Sequence, residues 1–458
     1  MYTYQDLLNV GQDDKARMNF VKTAISDHKN SELYETAKIA DQYNRHRNVT
    51  INEYQKLLYT VTGKAVPDNY SANFKMACRH FHRFVVQEVQ HLLGNGVTWG
   101  KKDTPAKLGN KKYVFDNQLQ GLAKKALVEG VAFGFFNRDH IDVFSLLNFV
   151  PFYDEENGSL SAGIKFWQIS ESKPLRATLY ELDGFTDYVW HGSRGEMIST
   201  KQPYIVKTRY TDVSGLEIYD GKNYPGFPIV PLWANDEHQS ELVGLREQID
   251  CYDLIKSGFA NTVDEASIVY WTIQNAGGMD DVDLVKFVER MKTLHAATVG
   301  DDGNGAHAES HSQEAPYASR EALLDRLDKD LYRDAMALNT DTIAGGAVTA
   351  TQIKAAYEPL NAKVDDFEYC VLEFIDGILT IAGIEDTATF ERSIMINSAE
   401  EIANILQSAQ FLPEDYITKK LLAIFGDIDQ TDEILKQMAS DELSAFGMNT
   451  EGKTNEDQ

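Results

Sequence analysis

Three groups of side chains in this sequence have the types and spacing to do chemistry. Cys78 stands two and four residues before His80 and His82, an arrangement in which an imidazole activates a thiolate nucleophile. Cys78 also adjoins the apolar residues Phe74, Ala77 and Phe81, and a thiol beside such a stripe is more simply a small core hydrophobe. His307, Glu309, His311 and Glu314 are donors of the kind that hold a metal ion. They fall in Gly300–Pro316, a polar stretch containing glycine that reads as a solvated loop, so no metal is expected there. The acidic pairs Asp280-Asp281 and Asp365-Asp366 match no metal-nuclease constellation, and Gly303 and Gly305 form a lone G-x-G without a third glycine or a helix close behind. No Walker loop, H-E-x-x-H or G-x-S-x-G occurs. These residues predict no catalytic centre and no cofactor.

Size and charge point the same way. A chain of 458 residues with 43% hydrophobic and 11% aromatic content has ample core for two to four structural units. The net charge of −26 argues against a broad grip on nucleic acid, because neutralising phosphates takes lysine and arginine. It suits solubility, or a surface that nucleic acid passes without adhering. Cys78, Cys251 and Cys370 are odd in number and far apart, which implies no disulfide framework and fits a reducing compartment. No charged-then-apolar leader and no apolar run near the roughly 20 residues of a membrane span are present, so neither signal peptide nor membrane segment is expected.

The elements that position these residues follow from periodicity. Residues 1–60 read as helical, with Tyr43, Ile51, Tyr54, Leu57 and Leu58 as packing points. Phe74, Ala77, Phe81, Phe84, Val85, Val89, Leu92 and Leu93 recur at helical spacing, with Gly94 as the stop. From Val131 to Tyr210 the period becomes that of strands: Val131–Phe135, Ile141–Leu147, Gly163–Ile169, Arg176–Leu182, Thr186–Trp190 and Tyr204–Tyr210, in an antiparallel region that ends in the proline-rich link Tyr224–Pro231. A long amphipathic helix is expected over Asn235–Val263, with Leu242, Leu245, Ile249, Tyr252, Ile255, Phe259 and Val263 as its apolar stripe. An insert follows, with strands at Ala266–Ile273 and Ala296–Val299 about a helix at Asp280–Thr293. A second helix runs over Ser319–Leu338, with Ser319 as N-cap and an outer face of interleaved charges. The polar loop Asn339–Ala350 leads into a third helix that Pro359 should kink or restart. Beyond Gly383 a strand is expected at Arg392–Ile396. Ser398 and Glu401 then form a capping-box signature, a helix runs from Pro413 to Gly426, another covers 430–443, and Gly447–Gln458 forms a polar tail. The expected fold class is α+β, mainly α.

Four segments carry a resemblance to a known family. They are the helix ending Val85-Val86-Gln87-Glu88-Val89-Gln90-His91-Leu92-Leu93-Gly94-Asn95-Gly96-Val97; the proline-containing Ile229-Val230-Pro231-Leu232-Trp233-Ala234-Asn235-Asp236-Glu237; the helix through Leu245, Ile249, Asp250, Tyr252, Asp253 and Ser257; and Thr349-Ala350-Thr351-Gln352-Ile353. In this order and spacing, over about residues 30–410, the chain resembles the portal proteins (head–tail connectors) of tailed bacteriophages, in the type found in long-tailed phages of Gram-positive bacteria. It departs from many relatives in placing Gly345-Gly346 a few residues earlier than their Ser-Gly pair, and in a short insert.

The resemblance implies a portal fold: a wing over 1–231, stem helices over 232–265 and 319–338, an α/β clip over 266–318 and a tunnel loop over 339–350. A long kinked helix with a return to the wing over 351–397, crown helices over 398–446 and a tail over 447–458 complete it. It implies a ring, typically of twelve subunits, at one vertex of the capsid, through which double-stranded DNA passes during packaging and ejection without sequence reading. The partners implied are the terminase large subunit, the head–tail adaptor, and the major capsid and scaffold proteins, with assembly in the host cytoplasm and no membrane. Tunnel-loop residues Asn339, Thr340, Asp341, Thr342, Gly345, Gly346 and Thr349 would face the DNA, and Lys256, Arg320, Arg326, Lys329 and Arg333 would be basic counterpoints on the stem. For any one of those five, an ion pair within or between subunits is the simpler role. Two other readings stay open: an enzyme acting on nucleic acid, and a minor capsid or adaptor protein without a channel.

Overall fold

The computed structural model describes residues 2–11, 13–59, 63–69, 71–109, 115–192, 194–211, 217–266, 270–274, 285–286, 307–311, 317–342, 349–393, 398–425, 434–436 and 438. Helices α1 (Tyr4–Asn9), α2 (Asp14–Lys29), α3 (Glu32–Asn44) and α4 (Val49–Glu53) open the chain. Side chains start the first three: Thr3 and Asp6 form a capping box, and Asp13 and Ser31 accept from Ala16 and Tyr34 amides. A small hairpin, β1 (Leu57–Tyr59) and β2 (Ala65–Pro67), precedes α5 (His80–Leu93), β3 (Val97–Trp99), α6 (Thr104–Lys107) and α7 (Phe115–Glu129). The β region comprises β4 (Val131–Phe136), β5 (Ile141–Ser145), β6 (Phe149–Tyr153), β7 (Leu160–Trp167), β8 (Leu175–Glu181), β9 (Gly184–His191), β10 (Arg194–Met197), β11 (Ile205–Thr211), β12 (Glu217–Lys222) and β13 (Ile229–Trp233). Then come α8 (Arg246–Ala266), β14 (Tyr270–Gln274), β15 (His307–His311), α9 (Tyr317–Asp334), α10 (Ala350–Ala382), β16 (Ala388–Phe390), α11 (Ser398–Ser408) and α12 (Glu414–Phe425).

The chain divides into two compact units, Met1–Ala337 with Val364–Glu391, and Leu338–Lys363 with Arg392–Gln458. In the first, strands β6 to β10 make a five-stranded antiparallel meander in the order β10-β9-β8-β7-β6. α1 and α2 cover one face: Leu7, Val21, Ala24 and Ile25 pack with Val150, Phe152, Ile164, Leu179 and Trp190, all buried. A three-stranded antiparallel sheet, β13-β4-β5, packs Val131, Phe133, Phe144 and Ile229 with Phe149 and Leu160. A side chain at Gly134 in β4 would collide with the Phe374 ring at 2.6 Å, so that strand and α10 meet as backbone against the tip of the ring. In the second unit, α11 and α12 follow the first part of α10, where Tyr357 and Leu360 are buried.

Several expectations change. The helix expected from Asn235 starts at Arg246. The Asn235 side chain accepts from Gln239 N (3.1 Å), Ser240 Oγ donates to Val128 O (2.6 Å), and Gly244 takes a left-handed φ of +84°, so 235–245 is a loop pinned to the end of α7. The second helix runs Tyr317–Asp334 rather than Ser319–Leu338, which places Ser319 inside it. The proline-rich link contains β13, and β6 stands where no strand was expected. Both carry a proline, Pro231 and Pro151, and both are edge strands, where a missing N–H costs no ladder bond. Tyr54, Leu57, Leu58 and Phe74 are exposed rather than packed, and α5 begins only at His80. Gly94 does cap the C-terminus of α5 as expected, but in a right-handed conformation, with the left-handed turn at Gly96 (φ +78°). The helix through Pro359 is continuous rather than restarted. A strand at Ala388–Phe390 pairs with β3; of the strand expected at Arg392–Ile396, Arg392 and Ser393 are not in a strand and 394–396 lie outside the described residues. His307–His311, expected in a loop, is a strand paired with β14. The expected helix at 280–293 apart from 285–286, the strand at 296–299, Gly303, Gly305, most of 430–443 and the tail lie outside the described residues.

Candidate functional site

The centre of the molecule's distinctive geometry is α8. Beyond Ile249 in its first turns, its buried side chains are Asp253, Ser257 and Asn261, at steps of four residues along one face. They face the extended segment that precedes α5. Asn261 Oδ1 accepts from Phe74 N (2.7 Å), Ser257 Oγ from Met76 N (3.0 Å) and Asp253 Oδ1 from Cys78 N (2.8 Å). The match is geometric: four residues of helix rise about 6.0 Å, and two residues of extended chain span about 6.6 Å. Three successive helical acceptors therefore meet three alternate backbone donors. Asp253 Oδ2 also accepts from the Asn48 amide (2.5 Å), while Asp250 accepts from Thr50 Oγ1 (2.7 Å) and from the Tyr43 hydroxyl. The expected apolar stripe is buried only at Leu242, Leu245 and Ile249, and Val263 is exposed.

Burial raises the Asp253 carboxyl above its ordinary value, a rise that hydrogen bonds from Asn48 and Cys78 oppose. Burial, reinforced by that carboxylate, pushes the Cys78 thiol up to about 12. A thiol so held is protonated at neutral pH and cannot serve as a nucleophile, so the core reading of Cys78 stands. His82 Nδ1 lies 2.9 Å from Asn44 Oδ1, and His80 Nε2 lies 2.8 Å from Asp328 Oδ1 on α9. The His80 ring packs edge-on against Tyr252 and Tyr332.

α8 and α9 run antiparallel. The Gln248 amide donates to Asp334 Oδ2 (2.7 Å) near one end, and Arg320 donates to Thr262 Oγ1 (2.7 Å) and Gly258 O (3.3 Å) near the other, where the Phe259 and Tyr317 rings meet at 5.7 Å. Beyond the far end, β14 follows α8 and β15 precedes α9, and the two strands pair antiparallel in register Tyr270↔His311 to Gln274↔His307. α9 is divided: Leu331, Tyr332 and Ala335 at its base are buried, whereas no residue from Tyr317 to Asp330 is.

The five basic residues singled out from the sequence have different surroundings. Arg320 ties the two helices together. Arg326 and Arg333 share Asp330 (3.5 and 3.0 Å), and Arg333 also reaches Asp334 (3.2 Å). Lys256 Nζ lies 5.6 Å from the centre of the Tyr252 ring. Lys329 is exposed and has no ion pair among the described residues. In the loop after α9, Asn339 Oδ1 accepts from Asp341 N (3.0 Å), opening a short 3-10 turn over Thr340–Thr342. Thr349 caps α10: its Oγ1 accepts from Gln352 N (3.3 Å) and its N donates to Gln352 Oε1 (3.1 Å), a capping box. Gly345 and Gly346 lie outside the described residues. Among the residues whose side chains are described, no three metal-binding groups come together, and no helix is long and apolar enough to cross a membrane. Reading the sequence missed the polar ladder. Its signal was Asp253-x-x-x-Ser257-x-x-x-Asn261, a four-residue polar period inside an apolar pattern.

Fold and site together define a mixed helix-and-strand protein with an antiparallel helix pair and an antiparallel strand pair between those helices in the chain. The chain belongs to the family described as phage portal protein, SPP1 Gp6-like, whose model matches residues 23–442. It is 27% identical over 217 residues to the portal protein of Clostridium phage phiCD119, covering 46% of this chain and about half (47%) of that relative. It is 23% identical over 398 residues to the portal protein of Bacillus phage SPP1, covering 78% of this chain and 74% of that one. Among solved structures it is similar to the neck of an empty gene transfer agent (GTA) particle computed with C6 symmetry (10% identity, 76% of this chain and 90% of that one, TM-score 0.47). It is also similar to the neck of a native GTA particle computed with C12 symmetry (12% identity, 75% and 89%, TM-score 0.44).

Proposed function

We propose that copies of this chain close into a ring, of about twelve, at one vertex of a phage capsid, and that double-stranded DNA passes through its axis during packaging and ejection. α8 and α9 form the stem, the segment between them the clip, 339–350 the tunnel loop, 1–231 with the later part of α10 the wing, and the helices from Ser398 the crown. Terminase, head–tail adaptor, capsid and scaffold proteins are its partners. The observation that carries the reading, beside family membership, is the outer part of the helix pair. From Tyr317 to Asp330 no residue is fully buried, Leu324 and Leu327 of the apolar face are only half-buried, and Tyr317, Leu323 and, on α8, Val263 are exposed. Two helices in isolation rarely hold such surface in water, whereas neighbouring copies in a ring would cover it.

The acidic balance of −26 fits a channel that repels phosphate and lets DNA slide. The polar, non-basic residues Asn339, Thr340, Asp341, Thr342 and Thr349 suit contact by shape rather than by base reading. The test is negative-stain electron microscopy with mass in solution. Rings with a central hole, near roughly 0.6 MDa for about twelve chains of 51.5 kDa, are expected. Chains that stay monomeric at high concentration and with scaffold protein added would sink the reading.

A further inference from the structure

The ribbon of β11 and β12 is fastened at its base and unsupported beyond it. At the base, the Tyr204 hydroxyl donates to Glu181 O and the Asn223 amide to Asp183 O (2.8 Å), while the Tyr204 ring packs with Tyr180, Phe185 and Tyr224. From there the two strands pair only with each other, and neither has a buried residue among those whose side chains are described. Every residue from Val206 to Thr211 is exposed, Tyr210 at 54%. Two strands alone are marginal in water and hold when a helix or further strands lie against them. β11 also carries Lys207 and Arg209 and no acid. A second surface in the same compact unit has the opposite character. On α10, Asp365, Asp366, Tyr369, Glu373, Asp376 and Thr380 form one exposed stripe behind the buried Phe367, Val371 and Phe374. No lysine or arginine occurs from Val364 to Ala382, and Tyr369, amid the carboxylates, is 74% exposed. Both surfaces are open, so neither covers the other within one chain.

We propose that the β11–β12 ribbon of one copy lies on the acidic face of α10 of the next copy, with Lys207 and Arg209 against Asp366, Glu373 and Asp376, and Val206 and Tyr210 covering Tyr369. The inference rests on the ring reading and names the surfaces that would close it. A ring closes through two unlike patches on each chain, which is what an anchored basic strand and an acidic helix face provide. Chains of net charge −26 repel one another, so copies approach most readily where opposite signs meet. The lengths agree: Val206 to Thr211 spans about 16 Å of strand, and Asp366 to Asp376 about 15 Å of helix. A buried tyrosine contact ringed by charge pairs is also the usual make-up of a specific interface.

The test is a charge swap in the full-length chain, read by electron microscopy and by mass against concentration. Lys207→Glu/Arg209→Glu and, separately, Asp366→Lys/Glu373→Lys should each raise the concentration needed for assembly by at least about 10-fold, because like charges then meet. All four changed residues are exposed, so circular dichroism of the single chain should be unaltered. The chain carrying all four changes should assemble again, and failure of that rescue overturns the pairing. Carbodiimide coupling, which condenses a lysine amine with a touching carboxylate into an amide, needs no variant. With isotope-labelled and unlabelled parent chains assembled together, mixed peptides joining Lys207 to Asp366, Glu373 or Asp376 are expected. Parent rings that lack this cross-link, or that form equally well with either pair reversed, overturn the ribbon contact and leave the ring reading standing. The cross-link without rings would keep the contact and remove the ring, and neither rings nor cross-link would remove both.

Discussion

The two helices of the pair both carry polar residues at helical spacing, but they use them differently. On α8, Asp253, Ser257 and Asn261 are buried, and each accepts from a backbone amide of the segment before α5. On α9, Arg326, Asp330 and Arg333 pair with one another at the surface, where Arg326 and Arg333 side chains are 78% and 69% exposed. The Cys78 bond is buried, so its donor has no water to fall back on and losing its acceptor costs the full desolvation penalty, whereas the Met76 and Phe74 bonds are only part-buried and should cost less. An exposed pair exchanges its partner for water at little cost. The comparison predicts that α8 is fixed to the body of the chain by a few directional bonds. The outer part of α9, before Asp328, is held to α8 by Arg320 and the Tyr317–Phe259 contact rather than to the body of the chain, a freedom that the proposed contacts between copies would use.

The largest effect should come from Asp253→Ala. It orphans the Cys78 N–H and leaves the Asn48 amide only its longer bond to Cys78 O (3.4 Å), which at about 1–3 kcal/mol for each buried donor predicts a loss of up to about 6 kcal/mol. Chemical denaturation followed by circular dichroism would measure it, and a loss below 1 kcal/mol (the low end for a single donor) would mean that the ladder is not a principal tie. Asp253→Asn keeps one acceptor and should be milder. It also carries a pH signature. Burial raises the folded carboxyl above its ordinary 3.8, so the unfolded chain releases this proton first. The Asp253 contribution is therefore most favourable in acid and is lost as pH rises from about 3.8 through the raised folded value. Relative to the parent, the asparagine variant should lack that downward slope.

Next in size is Ser257→Ala, which strands a single donor, Met76 N, and predicts about 1–3 kcal/mol. Because Asp253, Ser257 and Asn261 hold one continuous segment, Asp253→Ala and Ser257→Ala should couple rather than add when combined. Strict additivity within about 0.3–0.5 kcal/mol would show three independent contacts instead of one ladder.

Thr349 lies between the extremes. Its hydroxyl accepts from Gln352 N at the exposed start of α10, so the orphaned amide can find water. Thr349→Ala should cost about 1 kcal/mol and Thr349→Asp little, measured as hydrogen exchange in the first turn of α10. This test also separates two roles. If the residue touches DNA as well, Thr349→Asp should preserve the helix but slow DNA passage through an assembled ring. If its role is capping alone, passage is unchanged.

How much of this was legible depends on which physical signal each segment carried. The apolar period gave α5 from Phe81 onward, strands between Val131 and Trp190 and the buried face of α10 from Tyr357 to Ile378, because burial and apolarity coincide there, and it also gave β11 although that strand has no buried residue. It failed at β6 and β13, where Pro151 and Pro231 read against strand although both occupy edges. It also failed at Tyr54, Leu57, Leu58 and Phe74, apolar residues left exposed in this chain. It extended α8 back to Asn235 because Leu242 and Leu245 are buried and fit the stripe, though Gly244 breaks the helix between them. The ladder was invisible for a deeper reason. Its acceptors recognise backbone N–H groups of a segment some 180 residues away, and a backbone donor leaves no trace in side-chain identity.

The smallest effect sharpens the comparison most. Arg326→Ala and Arg333→Ala each remove an arginine from Asp330, at 3.5 and 3.0 Å, in side chains mostly open to water. Exposed pairs at three- and four-residue spacing contribute about 0.3–0.5 kcal/mol, so neither change should move the denaturation midpoint of the isolated chain appreciably. In an assembled ring the same face of α9 would be near other copies, with less water to screen it. If these arginines act within one chain only, the variants should assemble as the parent does, at both low and high salt. If they form seams between copies or face the channel, assembly or DNA passage should change while the stability of the single chain does not, and the difference should shrink with added salt. A variant that destabilises the isolated chain by as much as Ser257→Ala would break the contrast between the two helices, because the outer part of α9 would then be fixed as firmly as α8.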